Sequence, residues 1–535
     1  MYDYIIVGAG SAGCVLANRL TEDASVRVLL LEAGGPDKKR EIHIPVAFSK
    51  LFQTACDWSY YTEAEPYLEN RKLYWPRGKV LGGSSSINAM LYIRGNRKDY
   101  DGWQELGNPG WSYSDVLPYF KKSQNQERGA SEYHGIGGPL NVSNLRFVNP
   151  LSEAFVEAAE QTGFARNPDF NAASQEGFGL YQVTQRNGRR HSTADAFLRP
   201  AMSRPNLKVL TNVHVSGILF DRKRAVGVSF HQGEGSRQER AEREIILAAG
   251  AIGSPQVLLL SGVGPANQLR QFDIPIVCDL PGVGENLQDH PSVGLSYECL
   301  QPITLLNAEK LPSLVRYLCF KNGLLTSPVA EAGGFVKTSS VSSVPEIQFH
   351  FAPAYYKNHG QESLKKHAYT FGPTLVHPRS TGTLTLRSSN PLDSPRIRAN
   401  YFADARDLDL IVEGIKLTRE IGRAAVLAKY RGHELFPGDA VQGDSALRSY
   451  ARAVTETLYH PVGTCKMGND PLAVVDAELR VHGVTGLRVV DASIMPTVPG
   501  GNTNAPTIMV AEKAADLIKG KPAARKQEQE VLTAR

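Results

Sequence analysis

The stretch Tyr2–Glu32, YDYIIVGAGSAGCVLANRLTEDASVRVLLLE, decides the fold. Ile5-Ile6-Val7 is a short apolar run that ends in glycine, the pattern of a buried parallel strand. Gly8, Gly10 and Gly13 follow with the spacing G-x-G-x-x-G. The first permits a tight turn, the second lets the backbone approach a pyrophosphate, and the third lets the next helix pack closely on the strand. That helix, expected from Ala12 to Leu20 just after Ser11, would point its amides and dipole at phosphate. A second strand, Val26 to Leu31, ends at Glu32, where an acid can accept hydrogen bonds from a ribose hydroxyl. Strand, helix, strand and terminal acid in this order define a dinucleotide site. They do not say which dinucleotide binds.

The chain is 535 residues long, too long for one ordinary domain. Its 59 basic and 54 acidic residues nearly balance, so a nucleic-acid partner is not expected. The six cysteines, Cys14, Cys56, Cys278, Cys299, Cys319 and Cys465, form no close pair, which argues against a disulfide framework or a metal site. The first strand starts at residue 2, so no signal peptide is expected ahead of it. No run of 18 apolar residues marks a spanning helix. A cytoplasmic protein is expected, with peripheral attachment at the inner face of a membrane left open.

Residues 75–95, WPRGKVLGGSSSINAMLYIRG, form the second informative stretch. The run Gly82-Gly83-Ser84-Ser85-Ser86 can bring backbone N–H groups close to an anionic or ring-shaped ligand. Here the chain resembles the glucose–methanol–choline (GMC) family of flavin-dependent oxidoreductases. Gly78 to Asn88 is similar to that family's first signature, and Gly250 to Gly264, GAIGSPQVLLLSGVG, to its second. The resemblance implies an α/β fold: a Rossmann-like FAD-binding domain with a discontinuous, α+β substrate domain on an antiparallel sheet. The expected segments are 1–155, 190–300 and 470–520 for FAD, and 156–189 and 301–469 for substrate. A polar tail, 521–535, is expected to be flexible. Helices are expected at Tyr113 to Lys122, Leu151 to Thr162, Asp404 to Gly422, Ser445 to Glu456 and from Asn504 on.

The same resemblance implies which residues hold FAD. They are the loop residues Gly8, Gly10, Ser11, Ala12 and Gly13, with Glu32, Ala33, Trp58, Trp75, Arg77, Gly78, Gly82, Gly83 and Ser84. Asn88, Ala89, Met90, Leu91, Val213, Ala249, Gly253, Tyr459, Asp491, Ala492, Asn502 and Thr503 complete the set. It further implies that His460 is the active-site histidine and Asn504 the polar residue beside it. Some family members attach flavin through a histidine where this chain has Ile87, so a dissociable FAD is expected.

The chemistry fits alcohol oxidation. Hydride leaves an alcohol carbon more readily once the oxygen can give up its proton, and a neutral imidazole can take that proton. Asn504 could orient the hydroxyl or stabilise a developing alkoxide. The expected activity is oxidation of a primary alcohol to an aldehyde, with hydride to flavin N5 and electrons passed to a quinone or another acceptor. An oxidase using oxygen and a non-redox hydroxynitrile lyase remain alternatives within the family. A nicotinamide dehydrogenase and a non-catalytic flavin binder are disfavoured by the serine-rich signature and by His460. None of the four tryptophans lies in residues 300–460, so a tryptophan cage for choline's ammonium is absent there. Phe349, Phe351, Tyr355 and Tyr356 offer other aromatic faces.

Overall fold

A computed structural model describes residues 1–521 apart from Glu234 and Ser340. The expected tail therefore lies outside the described residues, save Lys521. Strand β1 (Tyr2–Val7), helix α1 (Ser11–Leu20) and strand β2 (Val28–Leu31) appear in the expected order. Ile5, Ile6 and all of β2 are fully buried, which is why their apolar runs do not alternate.

β1 and β2 lie at the centre of a seven-stranded sheet. Leu207–Leu210, β2, β1, the end of Gly235–Leu247 and Leu487–Val489 run parallel, in that order. The first half of Gly235–Leu247 leaves this layer to pair antiparallel with Arg224–Gln232, which pairs in turn with Val213–Asp221. The chain thus returns to the first sheet from its C-terminal end, as the Leu487-Arg488-Val489-Val490 pattern predicts.

A second, antiparallel sheet runs Arg431–Phe436, Leu295–Cys299, Ala368–Leu375, Ile347–Ala352, Ala332–Val336, Gly177–Leu180. The helix Ala405–Arg423 packs on Ala368–Leu375, and the helix Pro150–Gln161 on the far strands, where Phe155 stacks on Phe351 at 4.6 Å. The fold is α/β with a sheet-based second layer. Two expected boundaries do not coincide with the elements: the helix Pro150–Gln161 runs across 155/156, and the strand Leu295–Cys299 belongs to the second sheet, although it lies before residue 301. Its sequence, LSYEC, carries no composition break that would mark the change. A further element was not expected: helix α2 (Leu311–Phe320), in a region whose texture reads as strand.

The last helix among the described residues, α3 (Asn504–Ile518), packs against α1. Glu512, with a fully buried side chain, pairs with Arg19 of α1 at 2.7 Å and with Lys122 at 3.4 Å. This pairing lays the two helices side by side, and their N-termini meet where Ser11 Oγ donates to Asn504 Oδ1 at 2.7 Å.

Candidate active site

One cavity of about 380 Å³ runs from Glu32 at the end of β2 to His460 beneath the second sheet. That size suits a ligand site. Its Glu32 end is made of tight backbone. A Cβ on Gly13 would sit 1.9 Å from Gly8 O, so the third glycine lets α1 press against the loop. Gly8 has φ of 99°, and a Cβ there would lie 2.5 Å from Ala248 O. The serine-rich loop closes over the same place: Gly82 N donates to Ala9 O at 2.8 Å, and a Cβ on Gly83 would meet Gly10 Cα at 2.7 Å. Glu32 fastens this end, accepting from Ala9 N and Gly34 N, both at 2.8 Å. Burial pushes its carboxyl up to about 7.

Three helix N-termini converge on the cavity: Ser11 and Ala12 of α1, Asn504 of α3, and Gly250 and Ala251 of the helix Gly250–Leu260. Their dipoles favour an anion there. A cradle of glycines with no room for side chains, aligned amides and an acid at the strand end suit the pyrophosphate and ribose of a dinucleotide. The residues present therefore fit FAD.

Most of the expected site residues line this cavity. Gly13, Gly82 and Trp75 do not. Gly13 and Gly82 shape the loops from behind, and Trp75 is buried against Tyr401. Arg77 lines the wall, and its guanidinium donates to Tyr459 O at 2.6 Å. Tyr459 holds an uncommon left-handed backbone, φ 70°, just before His460. Asp491 lines the cavity and also accepts from Ser493 N, Gly250 N and Ser254 Oγ, so it caps its own turn and ties it to the Gly250 helix.

At the other end the geometry departs from expectation. The amide beside His460 belongs to Asn502: its Nδ2 lies 3.2 Å from His460 Nε2. Asn504 opens α3 and is turned to Ser11 instead. Asn502 Oδ1 accepts from Gln348 Nε2 at 3.2 Å, which orients the amide with its donor towards the imidazole.

His460 is held from behind. Its backbone N–H donates to Asp289 Oδ1 at 2.7 Å, and Asp289 also takes the hydroxyls of Thr457 and Tyr401. His460 Nδ1 lies 2.9 Å from His290 Nδ1, and His290 Nε2 lies 3.1 Å from Val376 O. A carbonyl only accepts, so His290 Nε2 carries a proton. Burial pulls the His290 imidazole down to about 3, so it is neutral and its Nδ1 is bare. His460 Nδ1 must then be the donor. Burial, together with the neighbouring His290, His350 and Arg77, holds His460 well below the ordinary histidine range. It is neutral, and its Nε2 lone pair faces Asn502 and the cavity. This arrangement can accept a proton at Nε2.

Two further groups stand at this end, His290 and His350. His290 lies 170 positions from His460, with no local signal linking them. His350 lines the cavity, and its buried Nε2 has no hydrogen-bond partner. Its signal was the alternation of EIQFHFA, which puts one set of side chains on one face of the strand. Phe48, Phe52, Ile87, Val329, Ala352 and Tyr356 give this end an apolar and aromatic wall, interrupted by polar Glu456, Ser292 and Thr370.

A sequence profile described as GMC oxidoreductase matches residues 2–292, and a second with the same description matches residues 378–511. The chain belongs to the GMC oxidoreductase family. It is 48% identical to mitochondrial choline dehydrogenase of Mus musculus, over 98% of this chain and 90% of that one. It is 47% identical to alcohol dehydrogenase (acceptor) of Pseudomonas putida, over 97% and 96%. A solved structure of formate oxidase from Aspergillus oryzae, reported for its FAD modification, superposes with a TM-score of 0.91 at 27% identity, over 97% of this chain and 98% of that one. The protein is an FAD-dependent alcohol oxidoreductase.

Proposed function

We propose that the protein oxidises primary alcohols to aldehydes, with His460 as the base and the electrons passed on to a quinone or similar carrier. The observation that carries this reading is the His290–His460–Asn502 chain, which leaves an unprotonated Nε2 at the cavity wall. FAD supplies the hydride acceptor. His460 Nε2 takes the hydroxyl proton, so negative charge develops on the alcohol oxygen only as it is needed. Asn502, oriented by Gln348, donates its amide to that oxygen. This role passes from Asn504 to Asn502, because only Asn502 touches the imidazole. Glu32, the glycine loop and the three helix ends hold the cofactor without covalent attachment, since Ile87 offers no nucleophile.

The apolar wall favours an alcohol with an aliphatic or aromatic body. A choline-like substrate is a second reading, favoured by the aromatic group Phe48, Phe52, Tyr356 and Tyr459. Glu456 also lines the cavity, with burial raising its carboxyl to about 7. Mixing the oxidised holoenzyme without air against a panel of aliphatic, aromatic and polyether alcohols and choline decides between them. Fastest bleaching by apolar primary alcohols supports the first reading, and fastest bleaching by choline the second. No bleaching by any alcohol leaves a lyase. The colour should leave with the supernatant on denaturation; colour kept on the polypeptide would contradict a dissociable cofactor.

A further inference from the structure

Helix α2 is built the wrong way out for a helix of a water-soluble surface. Leu311, Leu314, Val315 and Leu318 recur at i, i+3, i+4 and i+7, so they share one face. That face points to solvent: Leu311 is 72% exposed and Leu318 69%, and Phe320 at the helix end is 70% exposed. Tyr317 is the only buried residue of the helix, anchored against Ala308 and Leu325. Scattered apolar residues on a surface are ordinary, but a contiguous apolar helix face marks an interaction site.

The surroundings of the face say what it meets. No acidic residue occurs between Lys310 and Ala330. Lys310 precedes the helix, Arg316 lies within it with its guanidinium over the Phe147 ring, and Lys321 follows it. The hairpin Gln185–Arg190 abuts Lys321, since a Cβ on Gly188 would lie 2.2 Å from Lys321 O. It adds the exposed Arg186 and Arg189. Glu309, just before Lys310, pairs with Lys50. An apolar stripe rimmed by cations matches an anionic bilayer, where leucines enter the acyl boundary and lysines and arginines meet the headgroups. A two-fold dimer through the same face would set these cations against their own copies.

We propose that α2 seats the protein on an anionic lipid surface. The seat is continuous with the active site. Val46 and Leu324, on which the Tyr317 anchor packs, also pack against the cluster that holds Phe48, Val329 and Ala352 of the cavity wall. The seated face thus places that wall next to the membrane, where a lipid-soluble electron acceptor resides. This last link rests on the proposed function; the membrane contact itself does not.

The test is co-sedimentation of the FAD-loaded full chain with phosphatidylcholine vesicles, with and without phosphatidylglycerol. Wild type should pellet with the anionic vesicles and be released by salt. The double variant Leu318→Glu, Phe320→Glu should partition about tenfold less or worse. Lys310→Glu with Lys321→Glu should lose the preference for phosphatidylglycerol. All variants should keep their FAD and wild-type turnover with a soluble dye acceptor, because none of these residues lines the cavity. Loss of dye turnover in wild type would fail the proposed function and leave the pelleting result standing. Wild type that stays in the supernatant with both vesicles would overturn the proposal. So would a double variant that pellets like wild type, or a wild-type dimer in solution that the double variant splits into monomers.

Discussion

At the Glu32 end the cavity is walled by backbone, and at the His460 end by side chains from distant segments. The first end packs Gly8, Gly10 and Gly83 so closely that no Cβ fits at Gly8 or Gly83, and its glycine loop, first helix and terminal acid lie within one stretch of chain. The second end brings together His290, Gln348, His350, His460 and Asn502, which span more than 200 positions. Backbone amides and helix dipoles suit a fixed anion whose charge never changes. Charge that appears and vanishes during a reaction needs groups that titrate or that can be aimed, and these are side chains. Holding and reacting are therefore separable, and substitutions should divide along the same line.

The strongest separation is expected at the glycines. Gly13→Ala would place its Cβ 1.9 Å from Gly8 O, and α1 would have to leave the loop. The purified variant should carry no FAD, read from its visible absorbance and from turnover with added FAD. A variant that retains stoichiometric FAD would break the comparison at its first end. His460→Ala is next: it should keep FAD bound while slowing flavin reduction by alcohol about 10²–10⁴-fold. An unchanged rate would remove His460 as the base.

The two asparagines sharpen the comparison. Asn502→Ala should slow anaerobic flavin reduction about a hundredfold, with FAD content unchanged. Asn504→Ala should slow reduction less than about tenfold and show instead as easier loss of FAD, because its partner is Ser11 at the holding end. The reverse pattern would return the catalytic role to Asn504. His290→Ala should slow reduction about tenfold, from the orphaned His460 Nδ1 proton. It also carries a pH signature. His460 must be neutral to act, so the rate falls as pH falls through its pKa. His290 helps to hold that pKa down, so its removal moves the fall to higher pH. A merely structural role would leave the profile where it was. The same burial acts on stability. His290 titrates at about 3 in the fold and near its ordinary 6.5 when unfolded. Stability is thus full above about pH 6.5 and is lost as pH falls towards 3. Denaturant midpoints across that window should drop more steeply for wild type than for His290→Ala.

The holding end was legible in the sequence because its physics is local. A glycine spacing, an apolar run and an acid at the end of the next strand all lie between Tyr2 and Glu32, and each follows from sterics that need no tertiary knowledge. The reacting end was legible only in part. His460 and the Asn502–Asn504 segment stood out through resemblance, which gave the place beside His460 to Asn504 and a cofactor contact to Asn502. What distinguishes them is that α3 begins at Asn504. The helix turns that side chain towards α1, while Asn502 stays on the non-helical approach to the helix and meets the imidazole. His290 had no sequence signal, since its partner arrives from 170 positions away. α2 did carry a helical period, and the strand-like texture around it hid the pattern. Even so, period alone would have turned its apolar face inward, and only the fold shows that it faces out.

The roles of His460 and Asn502 require that an alcohol reduce the bound flavin. The direct measurement is an anaerobic titration of the wild-type holoenzyme with a primary alcohol, following flavin colour and aldehyde together. The yellow absorbance should bleach, with one aldehyde formed for each flavin reduced. Flavin that stays oxidised across the titration, with no aldehyde formed, would contradict both roles.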